Sequence, residues 1–160
     1  MVLPGFLHLT LVKAIVNEGI LVGAQNCSAY GEGAYTGEIA ADQIKDYQIE
    51  HVLIGHHERR QMYGDTQELV SKKVQEAEDC QLSVIYCCGE NSQDRQNDEQ
   101  EKVISEQLQA LKDANIEDWS KVIIAYEPLW AMGTGDIASA DQTQEVAFFI
   151  RNWIRENIGS

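Results

Sequence analysis

Apolar residues gather along this chain in four short runs: ILVGAQ at 20–25, HVLIG at 51–55, LSVIY at 82–86 and VIIAY at 122–126. Each is shorter than an ordinary helix and rich in Ile, Val or Tyr, which predicts a buried strand. Between the runs the spacing turns helical. Val103, Ile104, Leu108 and Leu111 recur on one face over 98–114. Val146, Phe149, Ile150, Trp153 and Ile154 form a similar stripe near the C-terminus, the face that lies on a sheet. Asp65 with Glu68, and Ser139 with Gln142, have the spacing of capping boxes, which predicts helix starts at both places. A further helix is expected over 6–19, ended by Gly19.

The order is therefore a helix followed by four strand–helix units, repeating every 30 to 40 residues or so. Strands apolar throughout and separated by helices imply a parallel sheet covered by helices, the α/β class. No linker or charge block divides the chain, so residues 1–160 are expected to form a single domain. Periodicity alone does not separate an open sheet from part of a closed barrel. In both, functional residues gather at the C-terminal ends of strands.

Composition narrows the function. With 26 acidic and 12 basic residues among 160, the formal charge is −14. That balance opposes nucleic-acid binding, which depends on Lys and Arg at phosphates, and any anion site must be local. The apolar fraction of 44% suits a folded globule. Cys27, Cys80, Cys87 and Cys88 lack CxxC spacing and read as reduced thiols. No run reaches spanning length, so no membrane insertion is expected. A soluble cytoplasmic protein is expected.

The strand ends present Gln25-Asn26-Cys27, His56-His57-Glu58-Arg59-Arg60, Cys87-Cys88-Gly89-Glu90 and Glu127-Pro128. A lone carboxylate at a strand exit is often just solvated. Here PLWAMGTG follows it, a stiff start and then a tip able to move and to offer amides, the composition of a lid over a base. His56 reads either as a core histidine or as an acid or electrophile facing that base. Arg59-Arg60 read equally as an ion-pairing pair, and Glu90 as an acceptor from backbone or Arg. Adjacent residues leaving a strand are expected to point to opposite sides, and no companion ligand set is evident, so no metal is expected at His56-His57.

GAQNC, GAYTGE, DQIKD, IGHHERR, CCGE and AYEPLWAMGTG stand in the order found in the triosephosphate isomerase family, which the chain resembles over about residues 3 to 158. The resemblance implies part of a (β/α)8 TIM barrel, about four of its strand–helix units, a single incomplete domain. It implies interconversion of dihydroxyacetone phosphate and glyceraldehyde 3-phosphate in glycolysis and gluconeogenesis, without metal or organic cofactor. Glu127 is then the catalytic base, His56 the neutral electrophile and Glu58 a supporting glutamate. The lid comprises Pro128, Leu129, Trp130 and Ala131, then Met132, Gly133, Thr134 and Gly135, then Asp136, Ile137 and Ala138. The Gly133 amide is its contact to the substrate phosphate. Tyr35, Thr36, Gly37 and Glu38 belong to a loop that reaches into the partner of a homodimer.

Three departures stand out. His57 occupies a position where the family usually has serine, and Asp136-Ile137 replace the usual Lys-Thr of the second hinge. The third is length, because a closed barrel takes roughly 250 residues. The match runs from the end of the family's second strand to its sixth helix, without the first, seventh and eighth strands and most of the phosphate site. The runs at 20–25 and 122–126 are then expected to be open edges, and the chain alone to be marginally stable and inactive. Three readings follow: a stretch of a full-length isomerase, a non-catalytic structural or interaction subunit whose edges are covered by partners, or a barrel completed by a second chain.

Overall fold

The computed structural model describes residues 1–135 and 137–159. Four parallel strands, β1 (Gly23–Ala24), β2 (His51–Ile54), β3 (Ser83–Cys88) and β4 (Val122–Tyr126), lie side by side in chain order. Register runs straight across the sheet, Val52 beside Val84 and Val84 beside Val122. A doubly wound sheet reverses its strand order at a switch point, whereas a barrel adds each strand to the same side. The order here is the barrel's, so the chain is an α/β fold forming part of a (β/α)8 barrel.

Seven helices occupy the described residues: α1 (Leu9–Ile15), α2 (Ala41–Asp46), α3 (His57–Met62), α4 (Gln67–Asp79), α5 (Ser92–Gln96), α6 (Gln100–Asp113) and α7 (Ala140–Asn157). Alternate strand residues Val52, Ile54, Val84 and Tyr86 join Val70, Val74, Leu108, Leu111, Val146 and Ile150 in one apolar core. The stripe expected on α7 and, apart from Val103, the one on α6 are the faces that enter it, while Val103 lines the cleft beside Glu127. The next strand residues point to the other side of the sheet. Ile123 is 48% exposed there.

Several expectations need correction. The helix expected over 6–19 is a single 3-10 turn at Phe6–His8 followed by α1, and it stops when Val16 becomes extended, before Gly19. The cap of α4 is Thr66, whose hydroxyl accepts from the Leu69 amide at 3.2 Å. Asp65 is instead buried in an ion-pair network. Ser139 and Gln142 do form the capping box of α7. The run at 20–25 is not a bare edge. Val2 bridges Val22, its amide donating to Leu21 O at 2.8 Å while the Gly23 amide donates to Val2 O at 3.0 Å. Gly23 permits this approach, since a Cβ there would lie 2.6 Å from the Leu3 side chain. Among the described residues β4 pairs with β3 alone, as expected of an edge.

Candidate active site

The site grows from the C-terminal ends of β2, β3 and β4. After β2 the chain turns through Gly55 at φ +78°, a left-handed conformation that glycine adopts without strain. His56 is then the N-cap of α3 and His57 its first residue. Leaving the strand for a helix turns both imidazoles toward β4. The expectation that these neighbours diverge therefore fails, because strand alternation ends at Gly55. Their ring centres lie 4.4 Å apart.

Arg60 fastens this turn. Its Nε donates to Gly55 O at 2.6 Å and Nη2 to Cys87 O at 3.3 Å, bridging the ends of β2 and β3. Just past β3, Gln107 of α6 grips Gly89 from both sides: the Gly89 amide donates to Oε1 at 2.8 Å and Nε2 donates to Gly89 O at 3.0 Å. Gly89 must be glycine, because a Cβ would lie 1.9 Å from Glu127 O. The Glu127 amide in turn donates to Cys88 O at 2.8 Å.

Glu127 leaves β4 with its carboxylate between the two histidines. Oε1 lies 3.0 Å from His56 Nε2 and 2.6 Å from His57 Nδ1. Oε2 accepts from the His57 backbone amide at 3.1 Å, at the positive end of α3. Glu127 and His57 are largely buried, and His56 less so. Glu58 is mostly exposed, with Oε2 3.6 Å from His56 Nδ1. Burial and the nearby Glu127 carboxylate push the Cys87 thiol far above its usual range. A cleft beside the carboxylate is lined by Gly55, His57, Arg60, Gly89, Glu127 and Leu129.

The loop after Glu127 is fixed at its start. Glu90, fully buried, accepts from Arg95 Nη1 and from the Tyr126 hydroxyl, both at 2.8 Å. The Arg95 guanidinium sits 4.5 Å over the Trp130 ring, and Trp130 Nε1 donates to the Tyr126 hydroxyl at 3.4 Å. Burial first, together with the Glu90 carboxylate, raises the Tyr126 hydroxyl to about 12. Pro128 precedes a 3-10 turn at Leu129–Ala131. Beyond it Met132 is half exposed, Gly133 and Gly135 have φ of +73° and +84°, and a Cβ at either glycine would touch nothing within 4 Å. Ile137 is 89% exposed, Ala138 precedes the cap of α7, and Asp136 lies outside the described residues.

Elsewhere, Tyr35 is half exposed and stacks on Tyr30 at 4.8 Å. Thr36 and Gly37 follow in a turn closed by the Glu38 amide donating to Tyr35 O at 3.0 Å. This loop stands apart from the Glu127 cluster. Arg59 and Glu90 take the plainer roles weighed for them, as an ion-pair partner and a buried acceptor. Asp65 binds Arg59 Nε at 2.8 Å and Lys73 Nζ at 2.7 Å, and Lys73 also reaches Asn26 Oδ1 at 3.1 Å. Sequence reasoning missed Lys73 and Gln107. The signal for Lys73 was a charge beside Val70, Val74 and Ala77 on the buried face of α4.

The fold and site define a parallel barrel sheet carrying a carboxylate, two imidazoles and a glycine-tipped loop at its strand ends. A family model described as triosephosphate isomerase matches residues 1–160. The chain belongs to the triosephosphate isomerase family. Relatives named triosephosphate isomerase include that of Phocaeicola vulgatus, 42% identical over 155 residues, 96% of this chain and 62% of the relative. Those of Dictyostelium discoideum and Aspergillus oryzae are also 42% identical, covering 92% and 97% of this chain and 58% and 63% of their own lengths. The chain thus spans about three-fifths of the length of these relatives. Among the described residues, no helix is long and apolar enough to cross a membrane.

Proposed function

We propose that the chain supplies the base, electrophile and lid of a triosephosphate isomerase that interconverts dihydroxyacetone phosphate and glyceraldehyde 3-phosphate in the cytoplasm. The observation that carries this reading is Glu127 Oε1 standing 3.0 Å from His56 Nε2 at the exits of two parallel strands, with the glycine-tipped loop following at once. A carboxylate within hydrogen-bond reach of a substrate carbon accepts a proton from one carbon and returns it to the next. Neutral His56 polarises the carbonyl. Triosephosphate isomerase is itself a standard case of such paired tuning, so these roles are carried over from the family.

In the present arrangement Glu127 is held by His57 through two contacts, at 2.6 and 3.1 Å. It must release His57 to reach a substrate. Closure of the loop from Pro128 to Ala138 drives that swing and brings the Gly133 amide to the phosphate. Glu58 supports His56, and Tyr35, Thr36, Gly37 and Glu38 insert into the second subunit of a homodimer.

A second reading applies to the 160-residue chain alone. Among the described residues β4 has no strand on its outer side and Ile123 is half exposed, a surface that a non-catalytic structural or interaction subunit would offer to a partner. The test is turnover of glyceraldehyde 3-phosphate by a polypeptide of the relatives' length containing this sequence. Glu127→Gln is expected to lower kcat by about 10²- to 10⁴-fold with unchanged circular dichroism. Unchanged kcat in that variant contradicts the proposal, and turnover by the 160 residues alone removes the second reading.

A further inference from the structure

We propose that His56, His57 and Glu127 form a site for a borderline divalent transition metal such as Zn²⁺ or Co²⁺. Two imidazoles and one carboxylate are a donor set such ions favour, with an open position left for water. Here the donors converge on one point: Nε2 of His56, Nδ1 of His57 and a Glu127 oxygen all lie within 4.8 Å of one another. A tetrahedral ion with bonds of about 2.0–2.2 Å holds its donors roughly 3.3 Å apart. The separations from Oε1, 3.0 and 2.6 Å, would widen by about 0.3 and 0.7 Å, and the two imidazole nitrogens, within 4.8 Å of each other, would adjust to the same spacing.

The surroundings suit an ion. Glu58 Oε2 lies 3.6 Å from His56 Nδ1, on the far side of the ring. A shift of roughly half an ångström would bring it into hydrogen-bond reach, where an outer-shell carboxylate fixes a ligating imidazole's tautomer and raises its basicity. Metal on His56 Nε2 places the ring proton on Nδ1, toward Glu58. Metal on His57 Nδ1 places its proton on Nε2. The His57 amide on Oε2 keeps the carboxylate oriented, and the cleft bounded by Cys88, Gly89 and Leu129 leaves room for water ligands. The net charge of −14 favours cations over anions near the chain as a whole.

The site depends on His57, which stands in a position usually held by serine in the family. It also opposes catalysis. An ion on Glu127 occupies the lone pair that a base needs, so metal binding and proton abstraction exclude each other. The ion would act as an inhibitor that a chelator reverses.

The test is titration of the protein with CoCl₂, followed by visible d–d absorption and calorimetry. The readout uses no turnover, so it stands or falls separately from the isomerase reading. The expected result is one Co²⁺ per chain with tetrahedral-type bands, displaced by one equivalent of ZnCl₂. Glu58→Gln, on an exposed side chain, is expected to weaken binding by about 10-fold. His57→Ser should weaken it beyond the roughly 100-fold upper range for losing an outer-shell partner. Absence of stoichiometric binding overturns the proposal. So does full-strength binding in Glu58→Gln, or an intense near-ultraviolet thiolate band that places the ion on cysteine.

Discussion

At the C-terminal rim of β2, β3 and β4, polar side chains knit the elements together, whereas the flank formed by β1 and α1 is held lightly. On the rim, Arg60, Gln107 and Gly89 lock the strand ends, and Glu90, Arg95, Tyr126 and Trp130 anchor the start of the loop. On the flank, β1 has two residues, and Val22 just before it bridges Val2. Leu7, Leu11 and Ile15 form an exposed apolar row, 95%, 57% and 70% accessible. The rim holds Glu127 against His56 and His57, while the flank presents an exposed apolar row. Polar contacts thus concentrate around Glu127, while the apolar core holds the strands and helices beneath.

The largest expected effect lies where rim and flank meet, at the network of Asp65, Arg59, Lys73 and Asn26. Asp65→Ala leaves the almost fully buried Lys73 ammonium unpaired, and should cost about 3–5 kcal/mol in urea unfolding. The same carboxylate gives a pH signature. Burial alone would raise its pKa, but hydrogen bonds from Arg59 and Lys73 outweigh that and hold it below the ordinary carboxylate value. The folded chain therefore binds fewer protons here than the unfolded one. The contribution is complete above about pH 4 and is lost as pH falls below it toward the depressed folded value. In Asp65→Ala the acid limb of the stability curve should flatten.

Next is Gly89→Ala. Its new methyl meets the Glu127 carbonyl, so the exit of β4 must shift, at about 1–3 kcal/mol, and Glu127 should move away from His56. Thermal denaturation and the crystal structure of the variant check both. The smallest effect is expected on the flank. Leu7→Ser should change stability by less than about 0.5 kcal/mol in this chain. A loss of several kcal/mol in a longer polypeptide would show that further chain covers the row.

The apolar runs and helical stripes were enough to place all four strands, because buried parallel strands and amphipathic helices write their periods directly into sequence. Caps were legible only where one residue fits. Ser139 has no rival, but Asp65 and Thr66 are neighbours, and the demand of Lys73 for a buried anion took the aspartate. The convergence of His56 and His57 was hidden because it depends on Gly55 turning left-handed and α3 starting at once. Gln107 was hidden because a polar residue beside a buried helical stripe looks like surface until β3 is laid next to it. Glu127 was visible, since a rigid and then glycine-rich segment directly follows it.

The most direct test of Glu127 as a proton-transfer base is exchange rather than net turnover. Dihydroxyacetone phosphate would be incubated in D₂O with a polypeptide of the relatives' length carrying this sequence, and deuterium at the hydroxymethyl carbon followed by NMR. The account predicts steady incorporation with Glu127 present and loss of at least about 100-fold in Glu127→Gln. Incorporation at an equal rate in the variant would contradict it.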